Sequence, residues 1–250
     1  MIINLTHRGI SYRVDLSQPR DISIPLIPNE ENVNCFHAPQ PRSEPVRSGD
    51  FVGSIEEGGL LNFKNLHVNI HGNGTHTECV EHISNQGTSI NQALNKYHFI
   101  GQLITIKPEG IGTDTVITKN NIKEKFDFNF QHEALIIRTL PNTNDKLVKN
   151  YSGINPTYCD PSAIQWIKGQ GIKHLLIDLP SVDKEQDEGK LLAHKTFWNV
   201  PDNPELNHTI TELIYVPDEI EDGIYLVNIQ ISSLEMDACL SKVVLYRLGE

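Results

Sequence analysis

His71-Gly72-Asn73-Gly74-Thr75-His76-Thr77-Glu78-Cys79-Val80-Glu81-His82 places three histidines and two carboxylates within one short stretch. Imidazole nitrogens and carboxylate oxygens are the donors that a zinc-like or manganese-like divalent ion takes. The alternating run before it, from Phe63 to Ile70, reads as a strand. Successive strand residues face opposite ways, so one strand cannot aim all these groups at one point. The Gly72-Asn73-Gly74 break supplies a sharp turn through dihedrals that glycine and asparagine tolerate. His71 before the turn and His76 with Glu78 after it can then converge on one ion. His82 reaches the same cavity without being needed as a ligand. The competing reading is a solvated polar turn. The pattern is not the helical His-Glu-x-x-His of zinc proteases, because the spacing differs and glycines interrupt it.

These residues resemble the signature His-(x)-Gly-Thr-His-x-Asp-x-Pro-x-His of the cyclase-like metal-dependent hydrolases, a group that includes kynurenine formamidase and isatin hydrolase. Gly74-Thr75-His76 matches the centre and His82 the final histidine. One extra residue follows His71, Glu78 stands where the family has aspartate, and Val80 replaces a proline. Further along, Asp178-Leu179-Pro180-Ser181-Val182-Asp183 is similar to the family's Asp-x-Pro-Ser-x-Asp motif. Ala193-His194-Lys195-Thr196-Phe197-Trp198 resembles its second histidine motif, and Glu212 matches its C-terminal glutamate. The likeness runs from Asp15 to the last strand.

The resemblance implies an α/β fold with a mixed sheet and flanking helices, of the swivelling β/β/α type, as a single domain over residues 1–250. It adds His194 and Glu212 to His71, His76 and Glu78 as ligands for one or two ions, zinc or manganese. It gives His82 the role of general acid and base. A bound divalent ion lowers the pKa of water from about 16 towards 7 and stabilises the oxyanion of an attacked carbonyl. A histidine proton shuttle adds a factor of about 10²–10⁴. The implied reaction is hydrolysis of a small N-formyl or cyclic amide, arylformamidase-like, by a homodimer or tetramer. A redox or non-catalytic metal-binding protein would use the same ligands. Asp183 and Ser181 either line the pocket or serve turn chemistry, and neither is counted as a ligand. His208 competes with Glu212 as a site residue but reads as surface.

The 250 residues suffice for a sizeable core, and the net charge of −11 offers no basic stripe for nucleic acid. No apolar run approaches the length of a membrane span, and the N-terminus lacks an apolar signal core. The four cysteines form no Cys-x-x-Cys pair, which fits reduced thiols in the cytoplasm. A nucleophilic cysteine is disfavoured, since Glu78 and Glu81 flank Cys79 and would raise its pKa.

Several elements must position the site. Tyr12 to Leu16 reads as a strand closed by the polar turn Ser17-Gln18-Pro19, with Asp15 near the strand's end before that turn. Residues 25–59, rich in Pro, Asn, Ser and Gly, read as irregular; Phe36 and Phe51 there are core anchors, or else lids over an aromatic substrate. Residues 89–97 and 115–127 read as short helices, and 102–107 as a strand. Glu133 to Thr139 and His174 to Asp178 read as strands covered on both faces. Between them, Asp160, Pro161 and the glycines at 169 and 171 mark the ends of a helix, giving a βαβ unit. Residues 223–231 and 242–248 complete the sheet.

Overall fold

A computed structural model describes residues 1–249. Seven strands carry the molecule: β3 (His76–Glu78), β4 (His98–Ile106), β5 (Ala134–Thr139), β6 (His174–Ile177), β7 (Thr209–Glu212), β8 (Gly223–Ile231) and β9 (Ala238–Gly249). Two earlier strands, β1 (Ile2–His7) and β2 (Ile10–Asp15), form a hairpin that adds to the far end of β9. The pairing order β9-β8-β4-β5-β6-β7-β3 returns to β9, so the mixed sheet closes on itself as a barrel. The β4–β5, β5–β6 and β6–β7 pairs are parallel, and the others are antiparallel.

Every residue of β5 is buried, as is every residue of β6. Ala134 and Ile136 join Leu103, Leu176, Val227 and Val243 in one apolar cluster. Leu135 and Ile137 face the other way, onto Ala163, Ile164 and Ile167 of helix α1 (Pro161–Gly169) and Ala193 and Phe197 of helix α2 (Leu192–Trp198). Both faces are therefore covered, as the continuous apolar run requires. Each such Leu or Ile contributes about 1.5–3 kcal/mol by leaving water. Helix α1 starts where expected: the Asp160 carboxylate accepts from Ser162 N at 2.8 Å and Pro161 occupies the first turn.

The closing register matters most. Strand β3 lies between β7 and β9, with Glu212 opposite His76 and Ala238 opposite Glu78. A three-residue strand from one motif is thus fixed beside chain more than 130 positions away.

Local expectations depart from this in four places. Within Phe63–Ile70 only Lys64–His67 is a strand, and it pairs with Arg42–Pro45 rather than with β3. Its four residues are all exposed, so its alternation buries nothing. Residues 115–127 open with a strand, Asp114–Ile117, before the helix Lys119–Lys123, because Val116 and Ile117 favour extended backbone and Thr118 caps the helix. Phe36 and Phe51 are 42% and 40% exposed, not core anchors; Phe51 rests edge-on against Phe63 in the same arm. His208 is half-buried against Phe197 rather than on the surface. Among the described residues, no helix is long and apolar enough to cross a membrane.

Candidate metal centre

The turn that carries His71 is built by side chains. The Asn69 carboxamide oxygen accepts from Gly72 N at 2.8 Å, and the Asn73 oxygen accepts from Asn69 N at 2.8 Å. None of Gly72, Asn73 and Gly74 has a positive φ, so the left-handed freedom expected of them is unused. Gly72 is needed for closeness instead: a Cβ there would lie 2.4 Å from the Ala38 Cβ. Gly74 is open, with nothing nearer than 3.8 Å.

Beyond the turn, His76 and Glu78 share one face of β3, while Thr77 between them meets the Thr211 hydroxyl at 2.9 Å on the other. The face of His76 and Glu78 is the helix side of the sheet, so α2 brings His194 onto it. The residues assembled are His71, His76, Glu78, His82, His194 and Glu212, all six expected at the site. His76 Nε2 lies 3.5 Å from Glu212 Oε2, and His194 Nε2 lies 3.0 Å from Glu78 Oε1. His71 Nδ1 is 3.3 Å and His82 Nε2 is 3.7 Å from Glu78 Oε2.

Each imidazole has its other nitrogen tied to an oxygen. His76 Nδ1 donates to the Gly74 carbonyl at 3.0 Å. His194 Nδ1 donates to Asp183 at 2.6 Å, and Asp183 also accepts from Ala193 N and His194 N at the start of α2. His71 Nε2 and His82 Nδ1 both meet Asp237 Oδ2, at 3.0 and 3.1 Å. A ring held from outside presents a fixed nitrogen inside, the usual arrangement around a metal. Glu212 is oriented in turn by Val182 N, which donates to its Oε1 at 2.9 Å.

Two observations test the fit of a cation. His76 Nε2 and Glu78 Oε2 are fully buried and have no hydrogen-bond partner, a costly state for a protein-only site. Three overlapping sets, His71–His76–Glu78, His71–His82–Asp237 and Glu78–His82–His194, each bring three donor atoms within 4.8 Å of one another. Nitrogen and carboxylate donors in this density suit a divalent ion. Without an ion the same groups pair their charges with one another. Burial opposes ionisation of Glu78, yet His82, His194 and His71 outweigh it and hold the carboxyl well below its usual range. Burial likewise opposes charge on His71, but Asp237 and Glu78 raise it to about 10. On His194, burial is overcome by Asp183 and Glu78, which raise it well above the ordinary value.

The cluster opens on a cavity of about 360 Å³ lined by Phe36, Asn69, His71, His82, Ser181, Asp183, His194 and Glu212. Phe36 sits on its wall, which matches the lid reading rather than the core reading. Ser181 and Asp183 both border it, and Asp183 also performs turn chemistry, so the two readings coexist. Asp15 ends β2 and accepts from Ser17 N in the turn that follows. Cys79 is buried, its thiol pushed up to about 11 by burial first and then by Asp237 and Glu78, which disfavours the thiolate. Asp237 is the residue sequence reasoning missed. It directly precedes β9, and only the β3–β9 pairing brings it to the site.

The model of the family described as "Putative cyclase" matches residues 14–184, more than half of the chain and all of the His71–His82 stretch. No curated protein sequence matches. Among solved structures, one described as a "potential metal-dependent hydrolase with cyclase activity" is similar at a TM-score of 0.64 and 16% identity, over 92% of this chain and 98% of that one. A "predicted metal-dependent hydrolase" from Bacillus stearothermophilus is similar at 0.62 and 17%, over 92% and 98%. An isatin hydrolase bound to the product analogue thioisatinate is similar at 0.62 and 13%, over 92% of each chain. At these identities the structures establish a shared fold. With the family model spanning the glycine-punctuated histidine stretch, and the closed mixed barrel shared with these structures, the chain belongs to the cyclase family.

Proposed function

We propose that this protein is a metal-dependent hydrolase that cleaves a small N-formyl or cyclic amide. The observation that carries the reading is the buried pair of unpartnered atoms, His76 Nε2 and Glu78 Oε2, among imidazoles whose outer nitrogens are already tied down. The names of the similar structures, metal-dependent hydrolase and isatin hydrolase, support the same class.

His71, His76, Glu78, His194 and Glu212 would hold one or two ions, zinc or manganese. A divalent ion there supplies Lewis acidity, acidifying water and polarising a carbonyl. The remaining work belongs to the chain. Asp183 holds His194 with its Nε2 aimed inward. Glu78 presents one oxygen to His194 and the other to His71 and His82, so a single carboxylate can serve two positions. His82, partly exposed on the cavity wall, takes a proton from water and delivers it to the leaving nitrogen. Phe36 offers an apolar wall to a flat ring.

The test is hydrolysis of a panel of formamides, imides and lactams before and after chelation. Activity lost on chelation and restored by Zn²⁺ or Mn²⁺ supports the reading. Tight metal uptake with no turnover across the panel would instead make this a metal-binding protein. A small-molecule amide as substrate, no nucleic-acid or membrane partner, a homodimer or tetramer, and a cytoplasmic setting belong to the same reading. Light scattering on the purified protein checks the assembly.

A further inference from the structure

Asp237 borders the cluster beside His71 and His82, half-buried, where nothing local in its sequence marks it. The antiparallel register of β9 against β3 sets Ala238 opposite Glu78, and Cys79 N donates to the Asp237 carbonyl at 3.0 Å. Its backbone is thereby fixed beside the metal-site strand.

The imidazoles of His71 and His82 lie stacked, with centroids 4.3 Å apart and planes at 30°. Both rings span the same gap. At the inner end lies Glu78 Oε2, 3.3 Å from His71 Nδ1 and 3.7 Å from His82 Nε2. At the outer end lies one oxygen, Asp237 Oδ2, 3.0 Å from His71 Nε2 and 3.1 Å from His82 Nδ1. The two rings are therefore mounted in opposite senses, one pointing Nδ1 inward and the other Nε2. Both ends face a carboxylate, which only accepts, but the contacts to Asp237 are hydrogen bonds while Glu78 Oε2 has no hydrogen-bond partner, so the outer nitrogen of each ring carries the hydrogen. With a divalent ion at the inner end His71 is a neutral ring, and in a neutral ring so held the inner nitrogen is the lone-pair atom.

We propose that Asp237 is a shared positioning residue that fixes His71 and His82 in opposite tautomers, leaving Nδ1 of His71 free as a ligand and Nε2 of His82 free as a base. The proposal rests on the hydrolase reading above. It assigns one carboxylate to two jobs, because a ligand and a proton shuttle share the same outer anchor. Loss of Asp237 frees both rings to flip, and the two functions decline together.

Zinc-loaded protein labelled with ¹⁵N-histidine tests this directly by long-range ¹H–¹⁵N correlation spectra. The expected spectrum has hydrogen on Nε2 of His71 and on Nδ1 of His82. In Asp237→Ala the His82 signals report a mixture of tautomers, and zinc affinity falls about 10–100-fold. The opposite tautomer at either ring in the unmutated protein, or tautomers unchanged in the variant, overturns the proposal. The first of these needs no variant to fold. A chain that takes up no zinc ends both this proposal and the hydrolase reading. One that binds zinc, shows these tautomers and hydrolyses nothing ends only the latter.

Discussion

Replacing Asp183 with alanine separates the cost of folding α2 from the cost of aiming His194. The Asp183 carboxylate accepts from Ala193 N at 2.7 Å, from His194 N at 3.0 Å and from His194 Nδ1 at 2.6 Å. Helix α2 has no capping side chain of its own at Leu191, so Asp183 caps it from the start of the loop that leads into it. Asp183→Ala leaves two backbone donors on buried residues, at about 1–3 kcal/mol each if they stay dry. The carboxylate is 8% exposed and borders the cavity, so water can replace it in part. The lower end of the range then applies, about 2 kcal/mol in all, or a fall of about 4–8 °C in Tm for a chain of this size. The freed His194 ring no longer presents Nε2 to Glu78, and zinc affinity falls about 10–100-fold. Asp183→Asn, which keeps one acceptor oxygen, lies between. Chemical denaturation measures the first quantity and calorimetric zinc titration the second. An Asp183→Ala protein that loses stability but binds zinc with unchanged Kd would refute the orienting role.

His82→Ala is expected to retain bound metal while losing about 10²–10⁴-fold in kcat; loss of the metal itself, by elemental analysis, would show that His82 is a ligand. His174 gives a pH dependence away from the site: burial, aided by His208, Lys173 and Lys96, lowers it to about 3. The unfolded chain binds that proton from about pH 6.5 downward, so the stability contribution is full above pH 7 and is lost on acidification, by about 2 kcal/mol at pH 5. A His174→Asn variant, compared at pH 7.5 and 5 by urea unfolding, should lose that much less, and an unchanged pH slope would contradict the assignment. Gly72→Ala should cost about 1–3 kcal/mol by driving a methyl into Ala38 and displacing His71, whereas Gly74→Ala should be tolerated; equal thermal shifts in the two would argue against this packing.

What could be read in advance follows how local each determinant is. Helix α1 announces itself through Asp160, Pro161 and Gly169, all within ten positions. Strands β5 and β6 are visible as unbroken apolar runs because both faces are covered. His76, Glu78 and His82 share one segment and are visible by type and spacing alone. His194 and Glu212 carry no such signal; only the family resemblance picks them out, and the β3–β7 register then sets Glu212 opposite His76. Asp237 is invisible because its place depends on barrel closure, a pairing between β3 and β9 that no window of sequence contains. The arm from Arg42 to His67 misleads for the opposite reason, since its short strands pair in solvent and bury little. The turn glycines show that a correct residue can be noticed for the wrong cause: Gly72 is there for lack of a Cβ, not for its φ.

The claim beneath all of this is that the helix side of β3 holds a divalent ion. Crystals grown with Zn²⁺ and measured above and below the zinc absorption edge test it most directly. The account predicts an anomalous peak between β3 and α2, about 2.0–2.2 Å from His76 Nε2 and from a Glu78 oxygen. Zinc found only at the surface, with His76 and Glu78 still facing an empty gap, would contradict it.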